Sequence, residues 1–79
     1  MRVLTEFPIG KTAKATIFAW NGKFILKIEK GGLEQTYKVS ELDISGFSEL
    51  QRIAQTSDFQ EKVQEVFEKM EAIADTLAD

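Results

Sequence analysis

Asn21-Gly22 separates two runs in which apolar residues alternate with others, 14–20 and 23–29. A two-residue connection between strands needs φ > 0 at both central positions for a type I′ turn. Asn-Gly meets that requirement better than almost any other pair. A second break, Gly31-Gly32, leads into a third run over 33–39. The centre of the chain therefore reads as an antiparallel meander with two tight turns.

Two-residue loops set the register. Trp20 faces Lys23, Phe18 faces Ile25, Thr16 faces Lys27 and Lys14 faces Glu29. Side chains in a strand alternate between faces, so these residues share one side of the sheet. The other side carries Ala15, Ile17, Ala19, Phe24, Leu26 and Ile28, and the second turn adds Gln35, Tyr37 and Val39. This apolar side is continuous over three strands and is assigned to the core. Glu34, Thr36 and Lys38 join the mixed side, with Glu34 beside Glu29 in a repulsive pair. A slip of one residue would expel Tyr37 and Val39 from the core, which favours this register.

Upstream, the alternation of Val3, Thr5 and Phe7 predicts a first strand. Pro8 suits a strand end or edge, because it cannot donate to a ladder, and residues 8–11 read as the turn into the second strand. Downstream, 40–47 reads as a connector with Leu42 and Ile44 tucked under the sheet edge. Phe47, Leu50 and Ile53 then mark a short helix, with Ser48 and Gln51 spaced as a capping box. Phe59, Val63, Val66, Met70, Ile73 and Leu77 follow a 4-3-4-3-4 spacing, widened by Phe67 and Ala74. This predicts a long amphipathic helix over 58–78, capped from Ser57 with Gln60 or Asp58 with Glu61 and carrying a Glu65–Lys69 pair. The stripe is explained most simply as the cover of the apolar sheet face, with part of it free to project toward a second subunit. The expected fold is α+β in one domain, 1–79: a four-stranded antiparallel meander (1–39), a connector and short helix (40–57), and a long helix packed on one sheet face.

A single domain of 79 residues buries a limited fraction of its surface and needs a brace. The chain has no Cys and no His. That excludes disulfides and the usual zinc, haem and iron–sulfur sites, and it directs attention to oligomerisation, a dimer in the simplest case. The N-terminal residues lack an apolar leader segment, and no apolar run approaches the roughly 20 residues that span a bilayer. The chain reads as soluble and cytoplasmic, with no membrane partner. Charge is divided: residues 1–39 hold seven Lys/Arg against three Glu, net +4, and 40–79 hold three against ten Asp/Glu, net −7. Such halves attract each other or face different partners, or the acids simply solvate a helix.

No nucleophile elbow, phosphate-binding loop or dinucleotide fingerprint is present. Most carboxylates fall at solvent positions of the last helix. Glu41 and Asp43 supply too few oxygens for a calcium site, which takes six to eight. The chain is therefore read as non-enzymatic, with no cofactor and no metal.

The candidate site is the mixed sheet face: Lys14, Thr16, Phe18, Trp20, Lys23, Ile25, Lys27 and Lys38. If the helices cover the other face, two aromatics and an isoleucine remain exposed among lysines. Such a patch marks an interaction surface. It fits a homodimer or a protein partner, as in an adaptor or assembly protein. It also fits single-stranded nucleic acid, where bases stack on Phe18 and Trp20 and Lys14, Lys23, Lys27 and Lys38 meet phosphates. A third arrangement inverts the sheet and lays the long helix over this face.

Four antiparallel strands followed by a C-terminal helix, with Lys14, Phe18, Trp20, Lys23 and Lys27 on one sheet face, resemble the repeat unit of the Whirly and Pur-alpha families. The resemblance covers element order over most of the chain and rests on no sequence motif. It implies single-stranded nucleic-acid binding by a dimer or paired repeats.

Overall fold

The computed structural model describes residues 1–78. It shows an α+β fold: four antiparallel strands, β1 (Arg2–Ile9), β2 (Ala13–Trp20), β3 (Lys23–Lys30) and β4 (Leu33–Ser40), then two helices, α1 (Phe47–Ala54) and α2 (Ser57–Ala78). The strands lie in chain order, so the sheet is an open meander with β1 and β4 at its edges.

The Asn21-Gly22 hairpin forms as the sequence requires. Asn21 has φ +50° and Gly22 φ +74°, the pair of positive values a type I′ turn demands. Trp20 pairs with Lys23, Phe18 with Ile25, Thr16 with Lys27 and Lys14 with Glu29. At the second turn only Gly31, at φ +59°, is positive, which is the type II′ pattern. β4 follows in the expected register, Leu26 opposite Tyr37 and Glu29 opposite Glu34.

β1 departs from simple alternation. Phe7 pairs with Ala15 and Thr5 with Ile17, but the register shifts between Val3 and Thr5, and Val3 comes to lie opposite Phe18. An inserted residue in one strand of a pair swaps the faces beyond it. Val3 therefore leaves the core side, and Leu4 packs against the core instead.

Both helices lie on the sheet face that carries Ala15, Ile17, Leu26 and Ile28. These residues are buried in one cluster with Phe7, Ile9, Phe24, Leu50, Ala54, Val63 and Phe67. The inverted arrangement is thereby overturned, since neither α1 nor α2 lies on the opposite face. Of the α2 stripe, Val63 is buried and Phe59 and Met70 pack at the core margin, while Val66, Ile73 and Leu77 stay exposed. Phe67, on the flank of the stripe, is completely buried.

Other local expectations fail for identifiable reasons. Ser48 lies inside α1, which starts from Gly46 with no side-chain cap; the turn before it is held instead by Glu49 Oε2, which accepts from the Ser45 N–H at 3.0 Å and from the Ser45 hydroxyl. α2 is capped one residue early, by Thr56 Oγ1 accepting from the Phe59 N–H at 3.3 Å. Leu42 is 95% exposed, and only Ile44 of the connector reaches the core. On α2 the ion pair is Lys62–Asp58 at 3.0 Å; Glu65 and Lys69 form none among the described residues. No helix among the described residues is long and apolar enough to cross a membrane.

Candidate interaction face of the sheet

The hairpin registers place all eight expected residues on the sheet face away from the helices. Cross-strand neighbours on one face form rows, and the rows differ in character. Val3, Phe18, Ile25 and Lys38 lie side by side across the four strands. Trp20 and Lys23 form the next row toward one end. Toward the other end come Glu6, Thr16, Lys27 and Thr36, then Lys14, Glu29 and Glu34.

The apolar part is less open than alternation suggests. Trp20 is 43% exposed, but Ile25 is only 6% exposed, although no helix covers it. Thr16 is buried as well, and Phe18 and Lys27 are half-buried. Their neighbours provide the cover: Met1, Phe18, Trp20, Lys27 and Lys38 surround Ile25 in a shallow groove of about 250 Å³. Long side chains lay their methylene stems over apolar surface while the charged ends stay in water. What this face offers a partner is thus Trp20, the edge of Phe18, and Val3, with Ile25 as the floor.

The lysines separate into two pairs. Lys14 Nζ lies 3.4 Å from Glu6. Lys27 Nζ lies 4.0 Å from Glu29 and 3.7 Å from Glu34, so a lysine bridges the two carboxylates whose proximity looked repulsive. Lys23 and Lys38, at the tryptophan end, make no ion pair among the described residues. The face therefore sets two lysines against three glutamates at one end, and is apolar with two unmatched cations at the other.

Sequence reasoning missed Met1, Val3 and Glu6 as members of this face. Val3 is misplaced because the bulge in β1 leaves no mark on the apolar pattern. Glu6 follows only from the β1–β2 register, which a connection longer than two residues does not fix. Glu29 and Glu34 were legible on this face, but not their bridging by Lys27.

Two other features bear on chemistry. Glu49, half-buried at the start of α1, has its carboxyl held below the usual range chiefly by the Ser45 hydroxyl hydrogen bond, then by the Ser45 backbone N–H, with Arg52 adding a smaller effect. Among the described residues no group of three or more acidic side chains is placed to hold a metal ion. Compared with protein-family models, curated proteins and solved structures, the chain finds no match in any of the three.

Proposed function

We propose that this chain is a non-enzymatic binding module that self-associates and docks a protein partner on the open face of its sheet. One arrangement carries this reading: Val3, Phe18 and Ile25 in a row, with Trp20 beside them, on the side of the sheet that neither helix covers. An apolar centre with a charged rim is the usual composition of a protein-docking patch, and a partly exposed tryptophan is the residue type most often found at its energetic centre. Matching of Lys14 and Lys27 by carboxylates favours a protein over a polyanion, because phosphate contacts need unmatched cations.

Single-stranded nucleic acid is the second reading, favoured by Trp20 with the unpaired Lys23 opposite it and Lys38 one row away. A base stacked on the indole contributes about 1–3 kcal/mol, and two cations give a shallow salt dependence. The likeness to the Whirly and Pur-alpha repeat belongs to this reading.

Placing a photoreactive phenylalanine analogue at position 20, with a control at Glu61 on the outer side of α2, tests the docking face in the cell that makes the protein. A discrete crosslinked protein from position 20, absent from position 61 and competed away by excess unlabelled chain, is the expected result. No crosslink from position 20 contradicts it. Titrating oligonucleotides against Trp20 emission at low and moderate salt separates the readings: quenching that weakens with salt supports nucleic acid, and a flat response supports a protein partner.

A further inference from the structure

We infer that two copies of this chain pair antiparallel along β4, about a twofold axis through Thr36, with the end of α2 from each copy reaching over the other. Self-association belongs to the reading above; the surface and the register are new, and they leave the open sheet face free.

The two sheet edges differ. β1 carries the bulge between Val3 and Thr5, and Pro8, both of which blunt an edge against pairing. β4 has neither: it is a regular eight-residue strand at the other margin. Lys30 and Leu33 flank a two-residue turn and so exchange hydrogen bonds. Alternation then turns the backbone groups of Gln35, Tyr37 and Val39 toward β3 and those of Glu34, Thr36 and Lys38 outward. All three outward residues are exposed.

Their order is self-complementary. In an antiparallel pair centred on Thr36, each Thr36 meets its own copy, and Glu34 of one chain faces Lys38 of the other, twice by symmetry. All of these are outward-pointing positions, so every pair exchanges N–H and C=O groups. Registers moved by one residue oppose outward to inward groups, and the next allowed ones separate Glu34 from Lys38. Opposite charges directly across a ladder stabilise it and like charges destabilise it. Lys38 has no ion pair within the monomer among the described residues, and this register supplies one.

α2 supports the same axis. It lies first against the β1–β2 turn, where Gln60 and Phe67 line a cleft with Gly10 and Thr12. It then passes Lys30, bonded to Glu71 at 3.0 Å, and Leu33, which shares an apolar groove with Met70, Ile73 and Leu77. Its 22 residues measure about 33 Å, while four strands span only about 14 Å between outer axes. The helix outlasts the sheet it covers: Glu71, Ala74 and Asp75 line a cleft with Gly31 and Gly32 at the β3–β4 turn, and from Glu71 onward every described residue is exposed. The twofold axis places Leu33 opposite Val39 of the second copy. It brings the overhanging Ile73 and Leu77 toward Tyr37 and Val39 there, on the core side of that strand, where Tyr37 is 40% exposed.

Sedimentation equilibrium of the full chain tests this with a charge swap. A dimer is expected for the native chain. Lys38→Glu and Glu34→Lys, each at an exposed position, should weaken dimerisation about tenfold by opposing like charges twice per dimer, and the double variant should restore it. Circular dichroism confirms that each variant is folded. A dimer indifferent to both single variants overturns β4 pairing while leaving self-association on another surface. A native monomer at all concentrations overturns both.

Discussion

Gln35 Nε2 donates to the Val63 carbonyl oxygen at 3.1 Å across the buried interface between β4 and α2. Gln35 Oε1 also accepts from the Tyr37 hydroxyl. A polar side chain that is 5% exposed among apolar neighbours thus has both ends of its amide satisfied, as burial requires. This contact ties an edge strand to the helix that crosses it. Replacing Gln35 with Leu strands the Tyr37 hydroxyl and leaves the Val63 carbonyl without its side-chain donor. The expected cost is about 1–3 kcal/mol, measured by urea unfolding, and Gln35→Glu should cost more because it buries a charge.

Phe67 has no exposed surface, and Lys30 Nζ sits 5.9 Å from its ring centroid. Phe67→Ala should destabilise the fold by about 3–5 kcal/mol through lost burial and the cavity left behind, enough to unfold much of a small domain at room temperature. Trp20→Ala deletes a larger side chain from the open face and should cost about 1 kcal/mol or less. Thermal unfolding followed by circular dichroism compares the two, and equal losses would place Trp20 in the core.

Gly22 adopts φ +74° with open space around the position of an added Cβ, so backbone strain alone sets the cost of a side chain there. Gly22→Ala should lose about 1–2 kcal/mol, and Asn21→Ala, at φ +50°, a similar amount. Denaturant titration of the two variants checks this. Gly32 carries no such φ, and Gly32→Ala should be nearly silent.

Glu49 gives the fold a weak acid dependence at one place. Its carboxyl is held below the ordinary value in the folded chain by the Ser45 hydroxyl and N–H. A depressed carboxyl contributes stability that is complete above its unfolded pKa and disappears as pH falls through the folded one. The turn before α1 should therefore loosen only below the ordinary carboxylate range. An NMR titration of the Glu49 carboxyl should show its midpoint below the ordinary glutamate value, and Ser45→Ala should raise it.

The elements that sequence made legible are those governed by local chemistry. Asn21-Gly22 and Gly31-Gly32 set two turns, and two-residue turns leave no freedom of register, so the pairings from Lys14–Glu29 to Phe24–Val39 follow residue by residue. The α2 stripe likewise marks the helix, and its extension past the sheet follows from length. Features that depend on tertiary surroundings were not legible. Ile25 sits on the face without helices yet is covered by its neighbours' side chains. Leu42 looks like a core residue by type but is 95% exposed, and Ile44 is the connector residue that packs against the core. α2 is capped from Thr56 and the turn before α1 is held by Ser45 donating to Glu49, rather than by the spaced pairs Ser57–Gln60 and Ser48–Gln51, because several hydroxyl and acidic residues in succession satisfy the same pattern.

The docking face itself is tested most directly by hydroxyl-radical footprinting of the chain in the cell that makes it, against the purified chain at the same labelling dose. Leu42, exposed in either case, serves as the internal standard. Protection of Val3, Phe18 and Trp20 in the cell, with Leu42 unchanged, is the predicted result. Equal labelling of Trp20 in both settings would mean that nothing covers this side of the sheet, and would contradict its role as a docking surface.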